Sequence, residues 1–198
     1  MLGASFFFIL MKIPKVTFKN IVFGLIIVLL IIPASRQFIQ IQLHKGLALF
    51  SPSIQTQSNR EQINNYNWNL VDLNGSVYNF RQAENKIVLV SFWATWCPPC
   101  IAELPSMQKL YETYSDKIEF VFVSNEKNET IKAFMTKNGY NFKVYTPLEA
   151  PIINQFKVSS IPHTFLIDQK GTIVIDKNGA ANWNSDTVKA TIDKLLLL

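Results

Sequence analysis

Two cysteines separated by two prolines, Cys97-Pro98-Pro99-Cys100, form the segment of the sequence best suited to chemistry. Residues three apart on a helical turn share one face, and their Cα atoms lie about 5 Å apart, within the range that a disulfide accepts. The pair can therefore alternate between a dithiol and a disulfide without a large backbone movement. They are the only cysteines in 198 residues, which excludes the class of secreted scaffolds held by several disulfides.

The cysteine pair lies between a predicted strand and a predicted helix. The run from Ile87 to Ala94 is nearly all apolar, which is typical of a strand buried on both faces, and a helix is predicted from Pro98 to Tyr114. Cys97 would then be the helix N-cap, where unpaired N–H groups and the helix dipole favour a thiolate. This makes Cys97 the attacking nucleophile and the shielded Cys100 the resolving thiol. The two prolines limit the donors that reach the sulfur and should tune the reduction potential.

Three other interpretations of the pair are a structural disulfide, half of a zinc site and two inert core cysteines. A disulfide that closes so short a loop constrains the unfolded chain little. Structural zinc needs four ligands, and the only histidines in the sequence are His44 and His163. Redox exchange is favoured over all three.

The remaining pattern alternates strands and helices and predicts an α/β sandwich with a mixed central sheet. An Asn74-Gly75 turn predicts a β-hairpin before the buried strand, from residues 66–73 and 77–80. After the cysteine helix, the sequence predicts a strand at 118–123, a helix at 128–138 capped by Asn128, a strand at 142–145, a short helix at 150–156, a strand pair at 164–167 and 172–175, and a last helix from the Ser185 cap to Leu198.

The segment from Phe92 to Cys100, FWATWCPPC, resembles the active-site segment of thioredoxin-fold proteins. With Glu103 and Pro105 after it, the sequence is most similar to the membrane-anchored, extracytoplasmic thiol-disulfide oxidoreductases of the TlpA/ResA type, over roughly residues 65–198. The resemblance implies a thioredoxin-like fold, a mixed sheet flanked by helices, with an N-terminal β-hairpin extension. It also implies that the protein needs no cofactor, because a second protein supplies the electrons as a dithiol.

The resemblance also assigns roles to residues. Ile161-Pro162 matches the segment whose proline is cis beside the disulfide and whose preceding residue pairs with a substrate strand. Trp96 and the prolines between the cysteines are expected to contact the substrate. Glu103 matches an acidic residue near the thiols, the alternative being a solvated charge on the helix. Ser91 departs from the buried Asp of many cytoplasmic thioredoxins, so Glu103 is the better candidate to deprotonate Cys100.

Charge is distributed unevenly along the chain. Residues 1–60 hold six of the 19 basic side chains and none of the 14 acidic ones, so residues 61–198 carry a net charge of about −1. The basic balance therefore belongs to the N-terminal segment, and a nucleic-acid partner is not expected.

The N-terminal segment is predicted to be a signal anchor. Every residue from Ile21 to Ile32 is apolar, and three lysines precede the run. The uncharged stretch has 16 residues, slightly fewer than the roughly 17–25 of a spanning helix. The lysines predict that the N-terminus stays in the cytoplasm, with the catalytic domain outside. Retention is favoured over cleavage, and translation from Met11 instead of Met1 stays open. The predicted organisation is an anchor at 1–35, a tether or short amphipathic helix at 36–60, and a thioredoxin-like domain at 61–198.

The predicted function is extracytoplasmic thiol-disulfide exchange at Cys97 and Cys100. The resemblance favours a reductase of exported proteins, for example in cytochrome c maturation, supplied by a membrane or periplasmic dithiol donor. The alternative is a copper chaperone that uses both cysteines and His163, since sulfur and imidazole ligands suit copper. His163 has two further interpretations, a partner for the Cys97 thiolate and a solvent-facing strand residue. A peroxidase is disfavoured because no Thr-x-x-Cys motif is present.

Overall fold

A mixed β-sheet forms the centre of the fold. This computed structural model describes residues 17–148 and 156–198. The helices are α1 (Phe18–Ile31), α2 (Pro33–Leu47), α3 (Pro98–Tyr114), α4 (Asn128–Asn138) and α5 (Asp186–Leu196), and the strands are β1 (Asn69–Asp72), β2 (Val77–Asn79), β3 (Val88–Phe92), β4 (Glu119–Val123), β5 (Val144–Pro147), β6 (His163–Ile167) and β7 (Ile173–Asn178). Within these residues the strand order is β2-β1-β5-β4-β3-β6-β7.

Strand β3 lies inside the sheet, parallel to β4 and antiparallel to β6. All five of its residues are buried. Leu89 packs in the core cluster that contains residues of α3, α4 and α5, whereas Val88, Val90 and Phe92 pack in a second cluster. Successive side chains of a strand point to opposite faces, so a strand covered on both sides is apolar except where a buried polar side chain has a hydrogen-bond partner. This explains the apolar run before the cysteines, in which Ser91 is the one polar residue and accepts a hydrogen bond from Thr164.

The thioredoxin-like α/β architecture predicted from the sequence is confirmed, with small differences at element ends. Helix α3 has the predicted bounds. Strand β5 begins at Val144, two residues later than predicted. Phe142 lies before the strand and packs in the core, with its ring centroid 4.1 Å from that of Phe122. Lys127, not Asn128, is the N-cap of α4. Helix α5 has the predicted Ser185 cap and ends at Leu196. The helix predicted at 150–156 lies outside the described residues, except for Phe156.

Helix α4 ends at a glycine whose backbone conformation is costly for other residues. Gly139 has φ 70° in the left-handed region, and its N–H reaches the carbonyls of Met135 and Thr136. No atom outside its neighbours lies within 4 Å of the place that a Cβ would take. We expect Gly139→Ala to lower the free energy of unfolding by about 1 kcal/mol through backbone strain alone.

The measurement is urea unfolding followed by tryptophan fluorescence. Lys137→Ala, at an exposed position in the last turn of the same helix, serves as the control and should change stability little. Equal midpoints for Gly139→Ala and the wild type would contradict the strain argument.

The chain divides into two units, residues 1–37 and residues 38–198. In the first unit, none of the side chains of α1 is buried against protein. Among the described residues, no single helix has both the length and the apolar character needed to cross a membrane. Helices α1 and α2 meet the length and composition required only as a pair with a sharp bend between them.

Residues 38–60, most of the predicted tether, belong to the second unit. Of the residues predicted to be a tether or a short amphipathic helix, those as far as Leu47 lie in α2. Beyond α2 the chain has a short 3-10 helix, Gln57–Asn59, and is bonded to the sheet and its loops. Asn182 N–H donates to the Phe50 carbonyl at 2.8 Å, and Gln55 N–H donates to the Val174 carbonyl at 2.9 Å. The segment after α2 therefore packs on the thioredoxin-like domain.

Candidate active site

Cys97 and Cys100 lie where β3 gives way to α3, and they form a disulfide with a Cα–Cα distance of 5.2 Å. Cys97 is the N-cap of α3, as predicted, and its sulfur accepts the backbone N–H of Cys100 at 3.3 Å. Pro98 and Pro99 have no N–H, so Cys100 provides the first backbone donor of the helix. A thiolate on Cys97 would receive this donor and the positive end of the helix dipole.

The peptide bond between Ile161 and Pro162 is cis. It precedes β6 and faces Cys97, because the Ile161 carbonyl oxygen lies 3.7 Å from the Cys97 sulfur. The Pro162 carbonyl accepts the Gly179 N–H at 2.8 Å, which joins this loop to the end of β7. The structure thus brings together two segments that are 64 residues apart in the sequence.

Glu103 is buried, with 1% of its surface exposed, so the interpretation as a solvated helix charge is wrong. Its Oε2 accepts the backbone N–H of Ala181 at 3.1 Å and the indole N–H of Trp183 at 3.2 Å. Burial raises the pKa of the Glu103 carboxyl to about 8, although these two hydrogen bonds and the charge of Lys177 act in the opposite direction. The carboxyl can therefore hold or release a proton near neutral pH, one helical turn after Cys100.

Ser91 is buried in β3, and its hydroxyl accepts the hydroxyl of Thr164 at 2.9 Å. Thr164 is the residue of β6 paired with Ser91, and both side chains lie on the same face of the sheet. A neutral hydroxyl pair occupies the position where many thioredoxins carry a buried carboxylate. Neither hydroxyl is a strong base, whereas the Glu103 carboxyl has a raised pKa.

His163 is buried in the sheet with 5% of its surface exposed, so the solvent-facing interpretation is wrong. Its Nε2 lies 2.7 Å from Asp176 Oδ1, and its ring stacks on Phe165 with centroids 4.4 Å apart. Among the described residues, no three His, Cys, Asp or Glu side chains form a group that could hold a metal ion. The copper site predicted as the alternative from Cys97, Cys100 and His163 is therefore not formed in this part of the chain.

Trp96 extends from the loop before the nucleophile, with 63% of its surface exposed. It borders a cleft of about 270 Å³ that also contains Ile161, Val158 and Phe156. The exposed indole and these apolar side chains therefore form one apolar surface next to the carbonyl that faces Cys97.

Glu126 holds the loop that carries the nucleophile, a role that the sequence analysis missed. Its carboxylate accepts the backbone N–H of Thr95 at 2.7 Å and the Thr95 hydroxyl at 2.6 Å. It also accepts the Ser124 hydroxyl at 3.1 Å. Because β3 and β4 are parallel, residues that follow both strands meet at one edge of the sheet. An acidic residue just after the second buried strand was therefore the available sequence signal.

We expect Glu126→Ala to destabilise the fold by about 1–3 kcal/mol, because the Thr95 N–H loses a charged acceptor in a partly enclosed position. Urea unfolding measures this cost, and Glu84→Ala, at an exposed carboxylate elsewhere, is the matched control. A cost no greater than that of the control would show that water replaces the carboxylate without penalty.

Three comparisons with known proteins agree with this geometry. Residues 62–175 match the AhpC/TSA family. Thiol-disulfide oxidoreductase ResA of Halalkalibacterium halodurans is 36% identical over 110 residues, which cover 54% of this chain and 62% of that protein. The chain thus matches just under two thirds of this relative's length. ResA of Bacillus thuringiensis (strain Al Hakam) is 31% identical over 158 residues, 79% of this chain and 87% of that protein.

A solved structure shares the fold. The thiol:disulfide interchange protein of Chlorobium tepidum TLS, a thioredoxin family protein, superposes with a TM-score of 0.55 at 24% identity, over 75% of this chain and 97% of that chain. At this level of identity the likeness shows the fold alone.

Proposed function

The chain belongs to the AhpC/TSA family of thioredoxin-like proteins, and from its ResA-type relatives we propose that it is a thiol-disulfide oxidoreductase. In this proposal the chain reduces disulfides of exported proteins. One observation carries the proposal: a cysteine at the start of α3 lies 3.7 Å from the carbonyl that precedes a cis-proline. This arrangement offers a nucleophile and a backbone acceptor to the same incoming segment.

The reaction begins with the reduced enzyme. A dithiol donor protein gives two electrons and two protons to the Cys97–Cys100 disulfide, which becomes two thiols, while the two thiols of the donor form a disulfide of their own. The Cys97 thiolate attacks one sulfur of the partner disulfide. A bond forms between Cys97 and that sulfur, and the other partner sulfur leaves as a thiolate that takes up a proton. The N-terminal position of Cys97 on α3 supports this role, because the Cys100 N–H and the helix dipole favour the thiolate.

Cys100 completes the cycle. Its thiol loses a proton and attacks the Cys97 sulfur, so that the Cys97–Cys100 disulfide forms and the partner leaves with its second thiol. The partner gains two electrons and two protons, and the enzyme loses them. Glu103 in its ionised form accepts the Cys100 proton, a role supported by its burial near the thiols and its raised pKa.

Substrate contacts follow from the surfaces around the disulfide. An extended partner segment pairs with the backbone of Ile161, beside Pro162, in the manner of an added strand. Trp96 covers one side of this segment, and Pro98 and Pro99 cover the turn of α3. This role is supported by the exposure of Trp96 and by the contact between Ile161 and the nucleophile.

The site of action is outside the cytoplasm, with the chain anchored in the membrane by its N-terminal segment. The support is the apolar α1, whose side chains do not pack on protein, and the lysines that precede it in the sequence. Cytochrome c maturation is one process that needs reduced exported thiols and is the proposed context. Labelling of the reduced cysteines by a membrane-impermeant maleimide on intact cells is the expected result, and labelling only after lysis would contradict this topology.

The activity is tested by insulin reduction with the full-length chain in detergent and dithiothreitol as the donor. We expect the chain to accelerate precipitation of the insulin B chain, and no acceleration would contradict the proposal. Equilibration with glutathione then fixes the direction. A reduction potential near about −270 mV suits a reductant, whereas one near about −120 mV would assign the opposite direction.

A further inference from the structure

A second cleft, of about 360 Å³, opens beside the disulfide, and part of its wall comes from the segment that links α2 to the domain. Pro99, Pro162 and Lys177 line one side of this cleft, and His44, Phe50 and Ser51 line the other. We name residues 44–51 the wall segment. It belongs to the same unit as the active site.

The wall segment is fixed to the domain rather than laid loosely on it. The Phe50 carbonyl accepts the Asn182 N–H at 2.8 Å, and Ala48 is buried. Ala48 also lines a neighbouring cavity together with Ala102 and Pro105 of α3. The segment therefore forms a defined surface next to the start of the cysteine helix, with the Phe50 side chain 72% exposed at the rim.

The groups around this surface are cationic. Lys177 lines the cleft, and Lys45 and Lys109 line the neighbouring cavity, whereas neither is lined by an Asp or Glu of the described residues. None of the three lysines forms a salt bridge within the described part of the chain. The nearby Glu103 carboxyl is buried and points to Ala181 and Trp183. Lys177 acts on the buried Glu103 carboxyl from a distance, but no carboxylate of the described residues pairs with it, with Lys45 or with Lys109. The cleft and the cavity next to it are therefore bordered by positive charge.

We propose that this cleft binds an extended segment of the partner protein that carries a carboxylate within a few residues of its reactive cysteine. The inference rests on the proposed function, since the segment enters as the disulfide substrate of the exchange. Charge complementarity selects acidic partners, and the exposed Phe50 and the half-buried Pro99 contact the apolar parts of the same segment. The wall segment is then a specificity element within the unit that carries the active site.

The test uses the full-length chain in detergent and two disulfide-bonded peptides that differ only in Glu or Gln two residues after the cysteine. We expect kcat/KM for the Glu peptide to exceed that for the Gln peptide by about fivefold at low ionic strength, mainly through KM. At 1 M salt, where the screening length is about 3 Å, the ratio should approach one.

Two variants identify the groups responsible. Lys45→Gln, in the wall segment, and Lys177→Gln, in the cleft, should each lower the preference for the Glu peptide by about twofold or more. Lys132→Gln, on α4 away from the cleft, is the matched control and should keep the preference. Lys45 has the greater diagnostic value, because Lys177 also acts on the Glu103 carboxyl.

Each outcome decides a separate question. Equal rates for the two peptides with the wild-type chain would overturn the inference and leave the proposed function supported. Failure to reduce either peptide would contradict the proposed function itself. The rate of peptide reduction per enzyme molecule could fall as the enzyme concentration rises and recover in Phe50→Ser. This result would overturn the inference, because it would show that a second copy of the chain occupies the cleft.

Discussion

Cys97→Ser should reduce the rate of insulin reduction to that of dithiothreitol alone. The hydroxyl of Ser does not ionise near neutral pH, so the helix N-terminus has no thiolate to stabilise. The variant also cannot form the mixed disulfide on which the whole cycle depends. Because the Cys97 side chain is buried at the N-cap and Ser is a good N-cap residue, the fold should tolerate the change.

Cys100→Ser is the matched control for this loss. It keeps the nucleophile but lacks the thiol that resolves the mixed disulfide, so it should accumulate as a covalent adduct with the partner. Mass spectrometry under non-reducing conditions measures that adduct, and its mass should fall to that of the free chain on addition of dithiothreitol. Full turnover by Cys97→Ser, or an adduct on Cys97→Ser instead of Cys100→Ser, would reverse the roles assigned to the two thiols.

The free energy of unfolding of the wild type should fall as pH rises, and Glu103→Gln should remove this fall. In the unfolded chain the carboxyl ionises near its ordinary pKa of 4.5, whereas in the folded protein it keeps its proton until about pH 8. The folded state therefore binds more protons between these two values, and its stability falls by at most about 1.4 kcal/mol for each pH unit in that window. Below pH 4.5 and above pH 8 this group adds no further pH dependence.

Urea unfolding at pH values from 5 to 8 measures this dependence as the difference between wild type and variant. Gln keeps an oxygen that can accept the Ala181 and Trp183 donors, so the variant should still fold. Glu129→Gln, at an exposed carboxylate of α4, is the control and should retain the wild-type slope. A wild-type and a Glu103→Gln curve that stay parallel over this range would mean that the buried carboxyl is ionised throughout.

The same variant tests the proposed role in catalysis. If Glu103 accepts the Cys100 proton, Glu103→Gln should slow resolution of the mixed disulfide and remove an ionisation near pH 8 from the pH profile of kcat. Attack by Cys97 should change less, because Cys97 depends on the N-terminus of α3. An unchanged kcat profile would restrict Glu103 to a structural role.

The sequence alone determined the elements that carry the chemistry. A strand buried on both faces is almost entirely apolar, and a helix that begins with two prolines leaves its N-cap cysteine with few donors. These are local rules, so β3, α3 and the disulfide spacing could be predicted from short segments of sequence. The cis-proline at 162 was also predicted, because the resemblance to thioredoxin-fold proteins supplied it.

Only the tertiary structure decided which distant groups surround the disulfide. Glu103 is buried because the loop at Ala181 and Trp183 folds over it, and a helical position cannot reveal what will cover it. Glu126 reaches Thr95 because two parallel strands end at one edge, and the wall segment reaches the cleft because Asn182 binds its backbone. Burial and charge at a site depend on neighbours remote in sequence, whereas strand, helix and cap preferences depend on neighbours close in sequence.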